Sequence, residues 1–580
     1  MLGKQKEKIM DRITESFLNK FIQNTGIQEE KEATRFEHFS NYSLVDSQID
    51  YHYKIEDINI GVGGTIGIDG FALILNGHLI TEIDELTDIL NDQKNCDAKL
   101  IFIQAKTSAG FDAKEISSFA YSVFDFISES PKQVWTQIAR ERIDLLNALF
   151  KRVSELREKP TCSLYYVSLG KLSDNQTINA RISSGKQDIE SENLFSKVDF
   201  SLFGATEIQS KFKEIGQSIQ KSFEFEKRVT LPEIQGVSEA YLGIVRCVDI
   251  AKIMENENGE IISNIFYDNV RDYQGQNPVN SEITRTLNSS TKEDFVLLNN
   301  GITIVAEELI LSRNTFNITN FQIINGCQTS HVLFENREKL NDNVYVSLKL
   351  IITKDKELTS KVIRSTNRQT EVKEQDLIAF TDFQKRLEDF YTTFNEPNRL
   401  YYERRSKQYS RLSIERQKIV DKTQQIKTMA SMFFDKPDLA TRFFGTLFRE
   451  FKDKLFADDH NMEPYYVSAF ALYKLEQMIL KGKIDRKYNK IKFYILMMLR
   501  YEVAPTSCPY FNSKAVIEYS ENILSILNDE SKLTIKIQSV ISKLDSLALD
   551  LTDRELSKSK KLVNDCLAFY KPKKLLPNHC

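Results

Sequence analysis

The sequence is poor in the residues that usually build zinc sites and disulfide frameworks. It has seven cysteines and six histidines in 580 residues, and neither type forms a CxxC or HExxH pattern. Scattered cysteines in odd number are typical of proteins that stay in a reducing compartment. We therefore expect a cytoplasmic protein without a structural zinc ion or a disulfide scaffold.

Long apolar runs and a large excess of one charge are also missing. No run approaches the length that spans a bilayer, and the N-terminal MLGKQKEKIMDRI lacks the apolar core of a signal peptide. The formal net charge is only -4, so nucleic acid can be attracted only by local basic patches. The length of 580 residues predicts three or four domains with ample core, and the missing apolar runs predict no contact with a membrane.

Two short segments carry the most specific chemistry: Gly67-Ile68-Asp69-Gly70-Phe71 and Ile101-Phe102-Ile103-Gln104-Ala105-Lys106. Side chains alternate across a strand, so Gln104 and Lys106 share one face of the second segment. If Asp69 lies on the neighbouring strand, its carboxylate meets both side chains. Asp69, Gln104 and the backbone carbonyl of Ala105 then offer oxygen ligands for Mg²⁺ or Mn²⁺, and Lys106 can orient a water.

Asp69 with Gln104-Ala105-Lys106 resembles the D…(E/D/Q)xK active site of PD-(D/E)XK restriction-endonuclease-like nucleases. The glutamine and the preceding Gly61-Val62-Gly63-Gly64 resemble the Mrr-type branch. This resemblance implies a nuclease domain over residues 1–155 and Mg²⁺-dependent hydrolysis of phosphodiester bonds. It also implies catalysis by Asp69, Gln104 and Lys106, with Glu37 on the helix before the first strand as a helper.

The remainder of the chain divides into three parts. Residues 156–227 read either as an α/β extension of the first sheet or as a small separate lobe, and residues 228–372 change to strands and Asn/Gly turns. Phe295–Leu298 and Ile302–Ala306 flank Asn299-Asn300-Gly301, a spacing that predicts a β-hairpin. Residues 373–580 show helical periodicity.

Three polar clusters stand out in the middle of the chain: Asn299-Asn300-Gly301-Ile302-Thr303, Asn325-Gly326-Cys327-Gln328-Thr329 and Thr366-Asn367-Arg368-Gln369-Thr370. The side chains of Asn300, Asn325, Gln328, Asn367 and Gln369 offer donors and acceptors that suit a base edge or a phosphate. The alternative interpretation is that the clusters are turns and helix caps that satisfy the backbone.

The three clusters, in this order and after Arg271-Asp272-Tyr273-Gln274-Gly275 and Asn280, resemble the abortive infection phage resistance (AIPR) family. The resemblance covers residues 230 to 500. Members often carry an Mrr-like nuclease segment in front, which agrees with the motif at Asp69. The resemblance implies a role in defence against phage.

A basic and aromatic segment follows this region. Arg404, Arg405 and Lys407 alternate with Tyr401, Tyr402 and Tyr409, a pattern that suits phosphate contacts and base stacking. A solvated helix face would give the same pattern.

These observations predict an α+β multidomain protein with an N-terminal restriction-endonuclease-like α/β sandwich, a mixed α/β core and a mostly helical C-terminal region. The predicted function is a metal-dependent anti-phage nuclease that prefers DNA to RNA as its substrate. We expect it to work as a dimer and to respond to a phage-derived trigger or a regulatory partner. Two alternatives are a catalytically degenerate protein of a defence system that binds nucleic acid or acts as a sensor, and an RNA-cleaving toxin that a partner restrains.

Overall fold

The computed structural model describes residues 10–27, 31–49, 53–61, 67–92, 96–172, 174–215, 218–256, 259, 261–266, 278–366, 382–404, 408–409, 414–441, 444–451, 454–551, 553 and 555–570. Helices and sheets of mixed direction alternate through these residues, as expected for the α+β class. None of the described helices is long and apolar enough to cross a membrane.

A five-stranded mixed sheet forms the centre of the N-terminal part. Its strands are β1 (Gly70–Leu75), β2 (His78–Ile80), β3 (Ala98–Lys106), β4 (Thr161–Ser168) and β5 (Lys197–Phe203), in the order β2-β1-β3-β4-β5. Strand β1 runs antiparallel to β2 and β3, whereas β3, β4 and β5 are parallel. Because β4 and β5 pair with this sheet, residues 156–227 begin as its continuation and not as a separate lobe.

Helices cover both faces of this sheet. They are α1 (Arg12–Thr25), α2 (Glu32–Val45), α3 (Ile83–Asp92), α4 (Ala113–Ile127), α5 (Gln137–Lys151), α6 (Gln176–Ser191) and α7 (Ala205–Glu214). On one face, Ile101 and Ile103 pack with Phe39 of α2. On the other, Phe102 packs with Phe119 of α4. The alternating side chains of β3 therefore fill two separate cores, and Gln104 belongs to the α4 side.

A six-stranded sheet follows. It contains β6 (Gln220–Glu224), β7 (Lys227–Thr230), β8 (Glu239–Arg246), β9 (Ile302–Ser312), β10 (Thr315–Asn325) and β11 (Tyr345–Ile352), in the order β6-β10-β9-β11-β8-β7. Its pairs are antiparallel except β9 with β11. The helices around it are α8 (Cys247–Ile253), α9 (Pro278–Leu287), α10 (Phe295–Leu298), α11 (Cys327–Glu335) and α12 (Lys356–Thr366).

The predicted hairpin across Asn299-Asn300-Gly301 is wrong. Phe295–Leu298 is a helical turn that continues the short helix Lys292–Asp294, and β9 pairs with β10 instead. Four apolar residues fit a strand or a helical turn equally well, and the asparagine–glycine signal does not distinguish them. The side chain of Asn299 accepts the backbone N–H of Gly301 at 2.9 Å, so the motif forms a local turn.

The C-terminal part is mostly helical. Its helices are α13 (Asp382–Thr392), α14 (Lys422–Phe434), α15 (Pro437–Ala440), α16 (Phe444–Phe451), α17 (Glu463–Leu480), α18 (Lys492–Val503), α19 (Lys514–Asn528), α20 (Glu530–Ser546) and α21 (Lys560–Leu567). Two short parallel strands, β12 (Tyr401–Glu403) and β13 (Ile419–Asp421), interrupt them. One large apolar cluster joins these helices.

The C-terminal part also contacts the N-terminal sheet domain. The guanidinium of Arg416 lies 2.9 Å from a carboxylate oxygen of Asp46 and over the ring of Tyr53, 4.2 Å from its centroid. Lys558 pairs with Asp84 at 2.6 Å. These contacts hold the C-terminal part of the chain against its N-terminal sheet domain.

Candidate metal centre

The end of strand β3 holds the side chain of Asp69 in place. The backbone N–H of Asp69 donates to the carbonyl of Ile103 at 2.9 Å, which continues the β1–β3 pairing by one residue. The N–H of Ala105 then donates to Oδ2 of Asp69 at 2.9 Å. Gly61 lies against this carboxylate, since a Cβ on the glycine would be 3.2 Å from Oδ1.

Asn41 of α2 supports Asp69 from the other side. This asparagine is fully buried, and its Nδ2 donates to Oδ1 of Asn59 at 2.5 Å and to the carbonyl of Asp69 at 3.5 Å. Asn59 in turn forms a bridge with Gly70. Sequence reasoning missed both asparagines, because neither lies in a recognisable motif.

Gln104, the residue before Ala105, carries an unsatisfied side-chain oxygen. The residue is 5% exposed, and its Oε1 is buried without a hydrogen-bond partner in the described part of the chain. Leaving a buried acceptor unsatisfied costs about 1–3 kcal/mol. A cation or a donor from a ligand would remove this cost.

The backbone of Ala105 faces the same space. The N–H and carbonyl of one strand residue point towards the same neighbouring strand, and the direction alternates along the chain. Since the N–H of Ala105 reaches Asp69, its carbonyl points to the same side, where β1 has already ended. The carbonyl is therefore positioned to face the space around Asp69.

Lys106 is the last residue of β3 and shares the face of Gln104. It is half-buried and forms no ion pair in the part of the chain that the structure describes. Burial raises the pKa of Asp69 above its usual value, while the N–H of Ala105 and the ammonium of Lys106 oppose this effect. The positive charge of Lys106 is therefore close enough to act on the carboxylate.

Glu37, the expected helper, lies half-buried on α2. It precedes Asn41 by one helical turn, so both residues occupy the same side of the helix. The structure thus places Glu37 on the helix that supports the backbone of Asp69.

The donor set suits a small hard cation. Asp69 provides one carboxylate, Gln104 an amide oxygen and Ala105 a carbonyl, and Mg²⁺ sites use one or two carboxylates completed by other oxygens. Among the described residues, no group of three or more His, Cys, Asp or Glu side chains is placed to hold a metal ion.

The polar motifs of the second sheet largely bond to one another. Asn280 donates to Gln328 at 2.7 Å, Asn299 donates to the hydroxyl of Thr329 at 3.1 Å, and Asn325 donates to the carbonyl of Thr366 at 2.7 Å. Asn300 is exposed. Asn367 and Gln369 lie outside the described residues.

Arg404 does not contribute to an open basic face. It is 6% exposed, and its Nε donates to the carboxylate of Glu388 at 2.9 Å. Tyr402 is fully buried as well. The predicted phosphate contact by Arg404 is therefore replaced by a buried ion pair, and Arg405 and Lys407 lie outside the described residues.

Comparison with known proteins gives one match. The family model described as AIPR protein matches residues 266–553, just under half of the chain. No curated protein and no solved structure matches the chain. The N-terminal sheet and Asp69 lie outside the matched segment. Through residues 266–553, the chain is similar to the AIPR proteins.

Proposed function

We propose that the chain is an anti-phage effector whose N-terminal domain hydrolyses phosphodiester bonds with the help of Mg²⁺ or Mn²⁺. Its preferred substrate is DNA rather than RNA. One observation carries this proposal: the N–H of Ala105 holds the carboxylate of Asp69, and Ala105 stands between Gln104, whose buried side-chain oxygen is unsatisfied, and Lys106, whose charge acts on the carboxylate. The AIPR match supports a role in abortive infection.

Asp69, Gln104 and the carbonyl of Ala105 would hold the cation. A bound Mg²⁺ or Mn²⁺ polarises a phosphoryl oxygen and lowers the pKa of a bound water. The two hydrogen bonds between Asp69 and β3 fix the carboxylate before the substrate arrives, which reduces the cost of assembling the site. The ammonium of Lys106 would orient the attacking water and offset the negative charge that develops on the phosphate.

The first experiment measures cleavage by the full-length protein. Supercoiled plasmid, single-stranded DNA and RNA are incubated with Mg²⁺, with Mn²⁺ and with EDTA. We expect cleavage only with the cations, and none from Asp69→Asn or Lys106→Ala. Lys99→Ala is the matched control, because Lys99 is an exposed lysine at the opposite end of β3.

One observation favours a second function. Asp69 is the only carboxylate in the donor set described above, because Gln104 replaces the usual acidic residue. A domain with this set could bind nucleic acid without cutting it. Metal-independent binding of DNA or RNA by a folded protein, without cleavage under any of the conditions above, would support this second function and contradict the first.

A further inference from the structure

The first turn of α4 lies just beyond the end of β3. Asp112 caps this helix by accepting the N–H groups of Lys114 at 2.7 Å and Glu115 at 3.0 Å. The hydroxyl of Ser168 on β4 bonds to the carbonyls of Ser108 and Gly110, at 2.9 Å each. The connection from Lys106 to α4 is therefore fixed to the sheet, and Glu115 lies in the first turn of the helix that follows β3.

Tyr166 connects Glu115 with Gln104. Tyr166 lies directly opposite Gln104 in the β3–β4 register, and it packs in the apolar core that α4 covers. Its hydroxyl donates to Oε2 of Glu115 at 2.8 Å. In the part of the chain that the structure describes, the second carboxylate oxygen, Oε1, accepts no hydrogen bond, so it is left for another ligand.

The segment that carries Asp69 packs along the same side of α4. A Cβ on Gly67 would be 2.5 Å from the hydroxyl of Ser122 and 3.6 Å from the carbonyl of Ser118. Glu115, Ser118 and Ser122 are three and four residues apart, so they follow one another along one side of the helix. Glu115 therefore lies on the side of α4 that the segment just before Asp69 contacts.

We propose that Glu115 is an additional ligand of the divalent cation and that Tyr166 is the positioning residue that holds it. This inference rests on the proposed function, because it assumes that Asp69 binds a cation. Glu115 would supply the second carboxylate that Gln104 cannot provide. Glu115 is exposed, and Tyr166 holds one of its carboxylate oxygens, so the side chain can adjust to a cation without disturbing the core.

The test measures Mn²⁺ affinity of the full-length protein by calorimetry and by electron paramagnetic resonance, without substrate. We expect Tyr166→Phe to weaken binding about 10-fold or more, the usual effect of losing an outer hydrogen bond to a ligand. Glu115→Gln is expected to weaken binding at least as much. Glu129→Gln should leave the affinity unchanged, because Glu129 is an exposed carboxylate beyond the opposite end of α4.

The Asp69→Asn variant distinguishes the proposed metal centre itself from the added role of Glu115 in it. If Asp69→Asn loses Mn²⁺ while Glu115→Gln binds like the wild type, the inference about Glu115 is overturned and the metal centre stands. If the wild type binds no Mn²⁺, or if Asp69→Asn binds it equally well, the proposed function fails together with this inference. Circular dichroism and thermal melting establish that each variant is folded.

Discussion

Gly70 lies so close to Asn41 that a Cβ on the glycine would be 2.4 Å from Oδ1 of the asparagine. Asn41 is the residue that donates to the carbonyl of Asp69. A larger residue directly after Asp69 would therefore displace the side chain of Asn41.

Gly70→Ala tests this close approach. The added methyl group displaces Asn41, and overpacking of this kind costs about 1–3 kcal/mol. We expect a lower melting temperature and weaker Mn²⁺ binding. Gly110→Ala is the control, because no atom lies within 4 Å of a Cβ at that position. Equal melting temperatures of the two variants would contradict the prediction.

Asp69→Asn is expected to stabilise the protein when no cation is present. The folded state raises the pKa of Asp69 above 3.8, so the charged form is disfavoured at neutral pH. Because the folded state binds the proton more tightly, the wild type gains stability as the pH falls through the raised pKa towards 3.8. The advantage of the variant should therefore shrink on acidification.

Thermal melts in EDTA at pH 7 and pH 4.5 measure this difference. Asp389→Asn, at an exposed carboxylate of α13, controls for the general loss of a negative charge. A lower melting temperature of Asp69→Asn than of the wild type at pH 7 would show that the carboxylate is not strained by burial.

Arg416→Ala is expected to loosen the contact between the C-terminal part and the N-terminal sheet domain. It leaves the carboxylate of Asp46 buried without its cation and removes the contact with the ring of Tyr53. Breaking one side of a buried ion pair costs about 3–5 kcal/mol. Urea unfolding measures the loss, with the exposed Arg486→Ala as the control. A midpoint equal to that of the control would contradict the structural role.

The second sheet region contains a group that makes stability sensitive to acid. Burial lowers the pKa of His331 on α11 to about 4, and its ring lies 4.7 Å from that of Phe266. The unfolded chain takes up a proton near pH 6.5, whereas the folded chain resists it, so stability falls as the pH drops from 6.5 to about 4.

His331→Phe removes this proton uptake and keeps an aromatic ring beside Phe266. We expect the melting temperature of the variant to fall less than that of the wild type between pH 7 and pH 5. Parallel pH dependence of the two proteins would contradict the prediction.

The sequence predicted those parts of the site that depend on local patterns. The alternation of β3 placed Gln104 and Lys106 on one face, and the periodicity of α4 marked the helix behind them. Asn41, Asn59 and Tyr166 could not be found in this way, because their places depend on strand register and on packing between distant segments. The polarity of Arg404 suggested an exposed cation, but Glu388 compensates its charge in the interior.

The ion pair between Lys558 and Asp84 bears on whether the N-terminal sheet domain can be produced as a separate fragment. Together with the ion pair of Arg416 and Asp46, this ion pair holds the C-terminal part of the chain against the surface of the N-terminal sheet domain. A fragment that ends after β5 would expose to solvent the surface of the N-terminal sheet domain that the C-terminal part contacts. Truncations should therefore aggregate or lose cooperativity on unfolding, and biochemical work on this protein requires the intact polypeptide.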